Sequence, residues 1–211
     1  MLHKIISVIF PKKCPYCKGI INESEYACAE CISDFPKEPL KYVVYGGFCA
    51  VSSFRYEGKY REALLRLKFS NKKQYSKSFA VSIANDIAKV YNGIKFDCIT
   101  SVPLSQSRLR ERGYNQAEVL ARDTAEILHI DYEELLEKIK DNYAQHDLAK
   151  AKRKQNVKGA YGLKDKNAVK GKTVLLIDDV VTTGYTMNAC CKILIKNGAE
   201  AVYCASMLKT L

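Results

Sequence analysis

No run in this chain approaches the roughly 20 consecutive apolar residues that cross a bilayer, so no apolar membrane-spanning helix is expected. Near the N-terminus, Ile5-Ile6-Ser7-Val8-Ile9-Phe10 is too short for a secretory apolar core with a cleavage site, and Pro11-Lys12-Lys13 follows directly. It reads as a short apolar helix packed on the main domain, with membrane contact as the alternative. Nothing else directs export. The expected location is therefore cytoplasmic, and the apolar segment leaves open a peripheral association with the inner membrane. No internal repeat is visible. Histidine is scarce, at three residues, and His146 lacks a partner that would make it a catalytic base. Acids are also few beside bases, 23 against 34.

That imbalance gives a net charge of +11, and it is unevenly placed. From Arg55 to Lys77 eight Lys/Arg face two Glu, and from Lys150 to Lys172 nine face one Asp, whereas residues 1–45 are close to neutral. A solvated basic surface accounts for such blocks, and so does an electrostatic footprint for a phosphate polymer. Charge alone separates neither these two readings nor DNA from RNA. With 211 residues the chain has room for one α/β domain and a small appendage.

The appendage is marked by cysteine. Cys14-x-x-Cys17 and Cys28-x-x-Cys31 form two knuckles ten residues apart, and together they can complete a tetrahedral four-thiolate site. Lys18-Gly19 supplies the turn after the first pair. Two disulfides or a redox pair would use the same residues but require an oxidising compartment, so a structural, zinc-ribbon-like Zn²⁺ site is expected. The segment is too small for a core of its own, so the metal should supply much of its folding free energy. Four thiolates leave no open coordination position and therefore no catalytic role. Cys49, Cys98, Cys190, Cys191 and Cys204 lie in apolar patterns and read as buried free thiols. Met187, Cys190, Cys191, Leu194 and Ile195 make a helical stripe.

After a linker with Pro36 and Pro39, strand patterns at Phe48–Tyr56, Asp97–Val102, Lys172–Asp178 and Ala201–Leu208 alternate with helical ones. The helices are marked by Tyr60–Phe69, by Phe79 to Tyr91, by Ala117 to Leu128, and by the stripe that ends near Asn197-Gly198. This alternation predicts a parallel sheet flanked by helices. The expected division is 1–45 for the apolar helix and cysteine module and 46–211 for the α/β domain. Residues 141–172, rich in Lys, Asn and Gly, read as a mobile basic lid.

Val174-Leu175-Leu176-Ile177-Asp178-Asp179 reads as a buried strand ending in two acids. The turn Thr182-Thr183-Gly184-Tyr185-Thr186 then opens a helix. Free backbone N–H groups, hydroxyls and the positive helix end favour an anion such as phosphate. Adjacent carboxylates suit a vicinal diol or a hydrated metal ion, and a sugar phosphate offers both partners. Thr/Gly turns also follow strands in α/β proteins with no ligand there. What shifts the reading is the acid pair, whose charges repel unless something covers them. Ser105, Arg108, Arg110 and Arg112 follow the Asp97–Val102 strand, and the forked guanidinium groups of the three arginines suit phosphate oxygens. A surface arginine cluster is the plainer alternative.

The segment from Val174 to Thr186 resembles the phosphoribosyl pyrophosphate (PRPP) motif of the type I phosphoribosyltransferases. Val102-Pro103 with Arg108, Arg112 and Gly113-Tyr114-Asn115-Gln116, together with the paired cysteines, is similar to the ComF competence-protein branch (ComFC type). The resemblance spans nearly the whole chain. It implies a phosphoribosyltransferase-like α/β fold that binds PRPP or a related ribose phosphate. The 5′-phosphate would lie at Thr182, Thr183, Gly184, Tyr185 and Thr186, the ribose at Asp178 and Asp179, and the pyrophosphate at Arg108 and Arg112, with Mg²⁺. It further implies a competence factor that handles incoming single-stranded DNA during natural transformation, partnered by a ComFA-like ATPase or helicase. Lys150, Lys152, Arg153 and Lys154 are lid residues that could contact DNA. Gln145, Leu148, Asn156 and Val157 are similar to the family's flexible loop. Lys68 resembles a lysine typical of ComF proteins, its role open between phosphate contact and surface charge. No segment clearly reads a base, so no catalytic residue is assigned. An active phosphoribosyltransferase of nucleotide salvage and a PRPP-sensing regulator are the alternatives.

Overall fold

The computed structural model describes residues 11–69, 73–140 and 159–211. Among them a five-stranded sheet runs in the order β1-β2-β7-β6-β3. Its strands are β1 (Leu40–Val44), β2 (Phe48–Arg55), β3 (Cys98–Ser101), β6 (Thr173–Val181) and β7 (Ala201–Lys209). β2, β7, β6 and β3 are parallel, while β1 folds back antiparallel on β2 as an edge. The protein is thus an α/β fold, its sheet mostly parallel and flanked by helices.

Alternation along β6 explains its unbroken apolar run. Leu175 and Ile177 enter one core, Val174 and Leu176 the other, and all four are fully buried. A strand covered on both faces has no polar side. The first core holds α2 (Gly58–Phe69), α3 (Tyr75–Val90) and α5 (Gln116–Leu128), through Leu64, Leu67, Phe79, Ile83 and Leu120. The second holds α6 (Tyr185–Lys196), through Met187, Cys190, Cys191 and Leu194. Ile195, counted in that stripe, is 40% exposed. Cys49 is exposed too, opposite the exposed Val43 on β1, because none of the described residues covers the sheet face at that edge. The other four thiols outside the N-terminal set are buried.

Four features differ from the sequence pattern. β1 occupies part of the expected linker. A one-turn helix, α1 (Ala29–Ser33), begins at the second cysteine knuckle, and α4 (Gln106–Arg112) carries the arginines. A two-stranded antiparallel ribbon, β4 (Leu136–Lys138) with β5 (Tyr161–Leu163), packs on α6. β5 and the fully buried Val169 belong to the stretch read as a lid. Residues 141–158 of that stretch and the N-terminal apolar segment lie outside the described residues, as do Lys150, Lys152, Arg153 and Lys154.

The cysteine segment is not a separate globule. Cys14, Tyr16, Ile21, Ala27 and Cys31 share the first core. Tyr16, between the knuckle cysteines, meets Phe35, Phe54, Tyr60 and Phe79 edge to face at 4.9 to 5.9 Å.

Candidate functional site

The two acids do not end their strand. β6 continues to Val181, with Asp178 opposite Ser206 and Val180 opposite Leu208 of β7. On the other side β3 stops at Ser101, opposite Ile177. From Asp178 onward β6 is therefore paired on one side only, and its open side forms the wall of a cleft of about 370 Å³. Asp178, Asp179, Thr182, Thr186, Arg108 and Arg112 all line this cleft. It sits beyond the carboxyl ends of parallel strands, where ligands of open α/β sheets bind.

A smaller cup of about 50 Å³ is formed by the turn itself, and Asp178, Thr182, Thr183, Gly184, Tyr185 and Thr186 line it. Gly184 is the N-cap of α6 with φ +78°, and a Cβ there would lie 3.2 Å from Val44 Cβ. That left-handed turn opens a twelve-residue helix at the cup, so unpaired N–H groups and the helix dipole converge on it. Tyr185 packs edge to face on Tyr45 of the β1–β2 hairpin at 5.1 Å, which braces the turn. Thr186 and Tyr161 line the neighbouring cleft together.

Burial and neighbouring Asp179 push the Asp178 carboxyl up to about 7, against the opposing pull of the Asp179 N–H and of Lys68. The Asp179 N–H donates to Asp178 Oδ1 at 2.8 Å. Asp179 is held by Lys68, Nζ to Oδ2 2.8 Å, with both side chains largely buried. Lys68 is thus a wall of the cleft and not an outlying surface charge.

Across the cleft, Ser105 caps α4 by accepting from the Arg108 N–H at 3.4 Å. The helix then points Arg108 and Arg112 inward, while Arg110, between them in sequence, is exposed. Arg112 Nη1 donates to Gln116 Oε1 at 2.9 Å, and its buried Nε has no hydrogen-bond acceptor among the described residues. The rest of Gly113-Tyr114-Asn115-Gln116 is scaffolding. Asn115 caps α5 and donates from Nδ2 to the Val102 carbonyl at 3.0 Å, and the Tyr114 hydroxyl donates to the Leu67 carbonyl, beside Lys68.

Among the cleft residues with polar groups, Tyr56, Lys138 and Tyr161 were not singled out from the sequence. Lys138 and Tyr161 are opposed in the ribbon, with the ammonium 5.5 Å from the ring centroid. The short apolar stretches on either side of 141–158 were the available signal. Tyr56 follows β2 and could have been found by asking which residue leaves each parallel strand's carboxyl end.

The second candidate site is the cysteine cluster. The Sγ atoms of Cys14, Cys17, Cys28 and Cys31 all lie within 4.8 Å of one another. Four sulfurs about 2.3 Å from one tetrahedral zinc would be about 3.8 Å apart. Cys17 and Cys28 approach to 3.5 Å, far beyond the roughly 2.05 Å of a disulfide. The Gly19 and Cys31 N–H groups each point at a sulfur at 3.4 Å, as knuckle turns around a metal do. Burial pushes the Cys31 thiol up; at Cys14 burial acts the same way, but several backbone N–H donors together outweigh it and bring that thiol down to about 7. The donor set fits a metal such as zinc, held in a closed site.

The family model for the phosphoribosyl transferase domain matches residues 80–210. Over 198 residues the chain is 32% identical to competence protein F of Haemophilus influenzae, covering 90% of this chain and 83% of that protein. It is 29% identical over 202 residues to the DNA utilization protein YhgH of Escherichia coli K12, covering 94% and 84%. It is also 29% identical over 150 residues to competence protein ComFC of Bacillus subtilis, covering 71% and 59%. Among solved structures, an adenine phosphoribosyltransferase aligns at 13% identity over 85% of this chain and 88% of the other, with a TM-score of 0.46.

Proposed function

The chain belongs to the phosphoribosyltransferase domain family, in its ComF competence-protein branch, and from that premise we propose that it is a competence factor that binds PRPP and handles incoming single-stranded DNA. The observation that carries the PRPP reading is the meeting of two acids, a helix-opening cup and two arginines at one cleft. In the proposed complex the 5′-phosphate takes the Thr182–Thr186 cup and the ribose diol faces Asp178 and Asp179. The pyrophosphate faces Arg108 and Arg112, whose forks match paired phosphate oxygens. Bound Mg²⁺ would offset pyrophosphate charge there.

Transfer to a base is a weaker proposal. Displacement of pyrophosphate passes through an oxocarbenium-like state, and a nucleophilic base needs a pocket of its own. Among the described residues the cleft also holds Val102, Pro103, Leu104 and Tyr56, and its two amides are already engaged, Asn115 with the Val102 carbonyl and Gln116 with Arg112, so neither is set out for a base edge. A salvage phosphoribosyltransferase is therefore the second reading, and a PRPP sensor the third. Residues 1–45 are proposed as a Zn²⁺-stabilised module and 46–211 as the ligand-binding domain. Basic charge and the names of the relatives support single-stranded DNA as a partner. A ComFA-like ATPase is proposed on family resemblance, and the cytoplasm as the compartment, with peripheral membrane contact left to residues outside those described.

Calorimetric titration of PRPP with Mg²⁺ into the zinc-loaded protein tests the first claim. Binding lost in the Asp178→Asn/Asp179→Asn variant with zinc content unchanged is the expected result, and no binding by the native chain refutes it. A panel of bases with PRPP then separates binder from enzyme by pyrophosphate release.

A further inference from the structure

A second and larger depression lies away from the cleft. It occupies about 1090 Å³ between the cysteine module and the faces of α2, α3 and α5. Lys12, Lys13 and Lys18 enter from the module, Lys73, Lys77 and Arg66 from the region of α2 and α3, and Arg122 from α5. Against these seven cations stand two acids, Glu23 and Asp123. Of the two, Asp123 is half-buried and accepts a hydrogen bond from Ser76. The two depressions share no lining residue.

The groove has a built framework. Arg66 Nη1 donates to the Pro15 carbonyl at 2.6 Å and reaches Tyr16 O at 3.4 Å, which fixes the module against α2. Lys73 lies 4.8 Å from the Tyr114 ring centroid and Arg122 4.1 Å from that of Tyr132. Lys13, Lys18, Lys73 and Lys77 are exposed and project from three separate elements. Arg66, Lys77 and Arg122 pair with Glu62, Glu126 and Glu118, whereas Lys13, Lys18 and Lys73 have no ion pair among the described residues, so the concavity keeps an excess of positive charge that a polyanion would offset.

We infer that this groove, and not the ribose-phosphate cleft, is the seat of a single nucleic-acid strand, and that strand and ribose phosphate bind at the same time. The inference rests on the DNA reading above and assigns its location. A concave seat follows one flexible backbone, whereas a duplex presents a stiff convex surface that meets only the rim. Lysines on several elements supply sequence-independent contacts to phosphates.

The test is fluorescence anisotropy of a labelled oligothymidylate across a salt series, with the full zinc-loaded chain. Lys13→Gln/Lys73→Gln/Lys77→Gln should lower the slope of log affinity against log salt by about 2, since each lost single-strand contact removes about 0.7. Lys41→Gln/Lys192→Gln/Lys196→Gln makes the same charge change outside the groove and should leave the slope near that of the native chain. Saturating PRPP with Mg²⁺ should leave the oligonucleotide affinity unchanged. If the native chain binds no oligonucleotide, the DNA reading and this inference fall together. If it binds but both triple variants behave alike, the reading stands and the groove assignment is overturned. Displacement of the strand by PRPP overturns separate seats, and duplex affinity equal to that of the single strand overturns the single-strand assignment. Equal melting temperatures of the two variants show that the comparison is between folded proteins.

Discussion

Replacing Lys68 by Met should convert the acid pair from a paired site to an open one. Lys68 Nζ lies 2.8 Å from Asp179 Oδ2, with the side chains only 16% and 14% exposed. At an effective dielectric of about 20 such an attraction is worth at least about 4 kcal/mol gross. Desolvating both ends removes much of it, but taking away only the cation leaves the carboxylates uncompensated. A net loss of about 2 kcal/mol is expected at pH 8, a fall of about 4–8 °C in melting temperature for a chain of this size. The loss should shrink at pH 5.5, below the raised pKa of Asp178, because a proton then does part of the work of the ammonium. Mg²⁺ should raise the melting temperature of Lys68→Met more than that of the native chain, since the open pair is a better cation site. Thermal melts at the two pH values, with and without Mg²⁺, test this. A loss that is the same at both pH values and indifferent to Mg²⁺ would mean that Lys68 stabilises the fold without acting on the acid pair, and would refute the reasoning.

Asp178 makes a second pH prediction. Its folded pKa, raised to about 7, exceeds its ordinary value of 3.8. The folded state therefore holds the extra proton between those values, and this contribution to stability is lost as pH rises through 7. Urea melts of Asp178→Asn should show a flatter profile from pH 4 to 7 than the native chain; parallel profiles would contradict the assignment. Tyr16→Ala should destabilise by about 3–5 kcal/mol, as for other large buried rings, and should lower zinc content measured by atomic absorption, because Tyr16 joins the knuckle to the core. Gly184→Ala places a Cβ against Val44 at a positive φ, so it should cost about 1–3 kcal/mol and weaken PRPP in calorimetry; unaltered affinity would separate the turn from the phosphate.

Much of this was legible in the chain because it is local. The four-cysteine spacing, the apolar run of β6 and the glycine-bearing turn are each set by neighbours in sequence. The helices read from apolar periodicity begin and end within a few residues of those observed. What escaped were short or two-faced elements: β1, hidden behind Pro36 and Pro39, the seven-residue α4, and the three-residue strands of the ribbon. Segments so short carry too little periodicity to register. Cys49 was misjudged for a related reason, since an apolar pattern does not tell whether anything covers that face.

The sequence by itself determined the chemistry: which thiols can share a metal, which turn can cradle a phosphate, and which side chains carry charge. Only the tertiary structure decided the assembly, because strand order and strand length are not local properties. β3 ends one residue short of Asp178's position, and that leaves the acids open to the arginines of α4. The packing of α2 brings Lys68 to Asp179 across 111 residues of chain, and the same helix, through Arg66, holds the cysteine module against the basic groove.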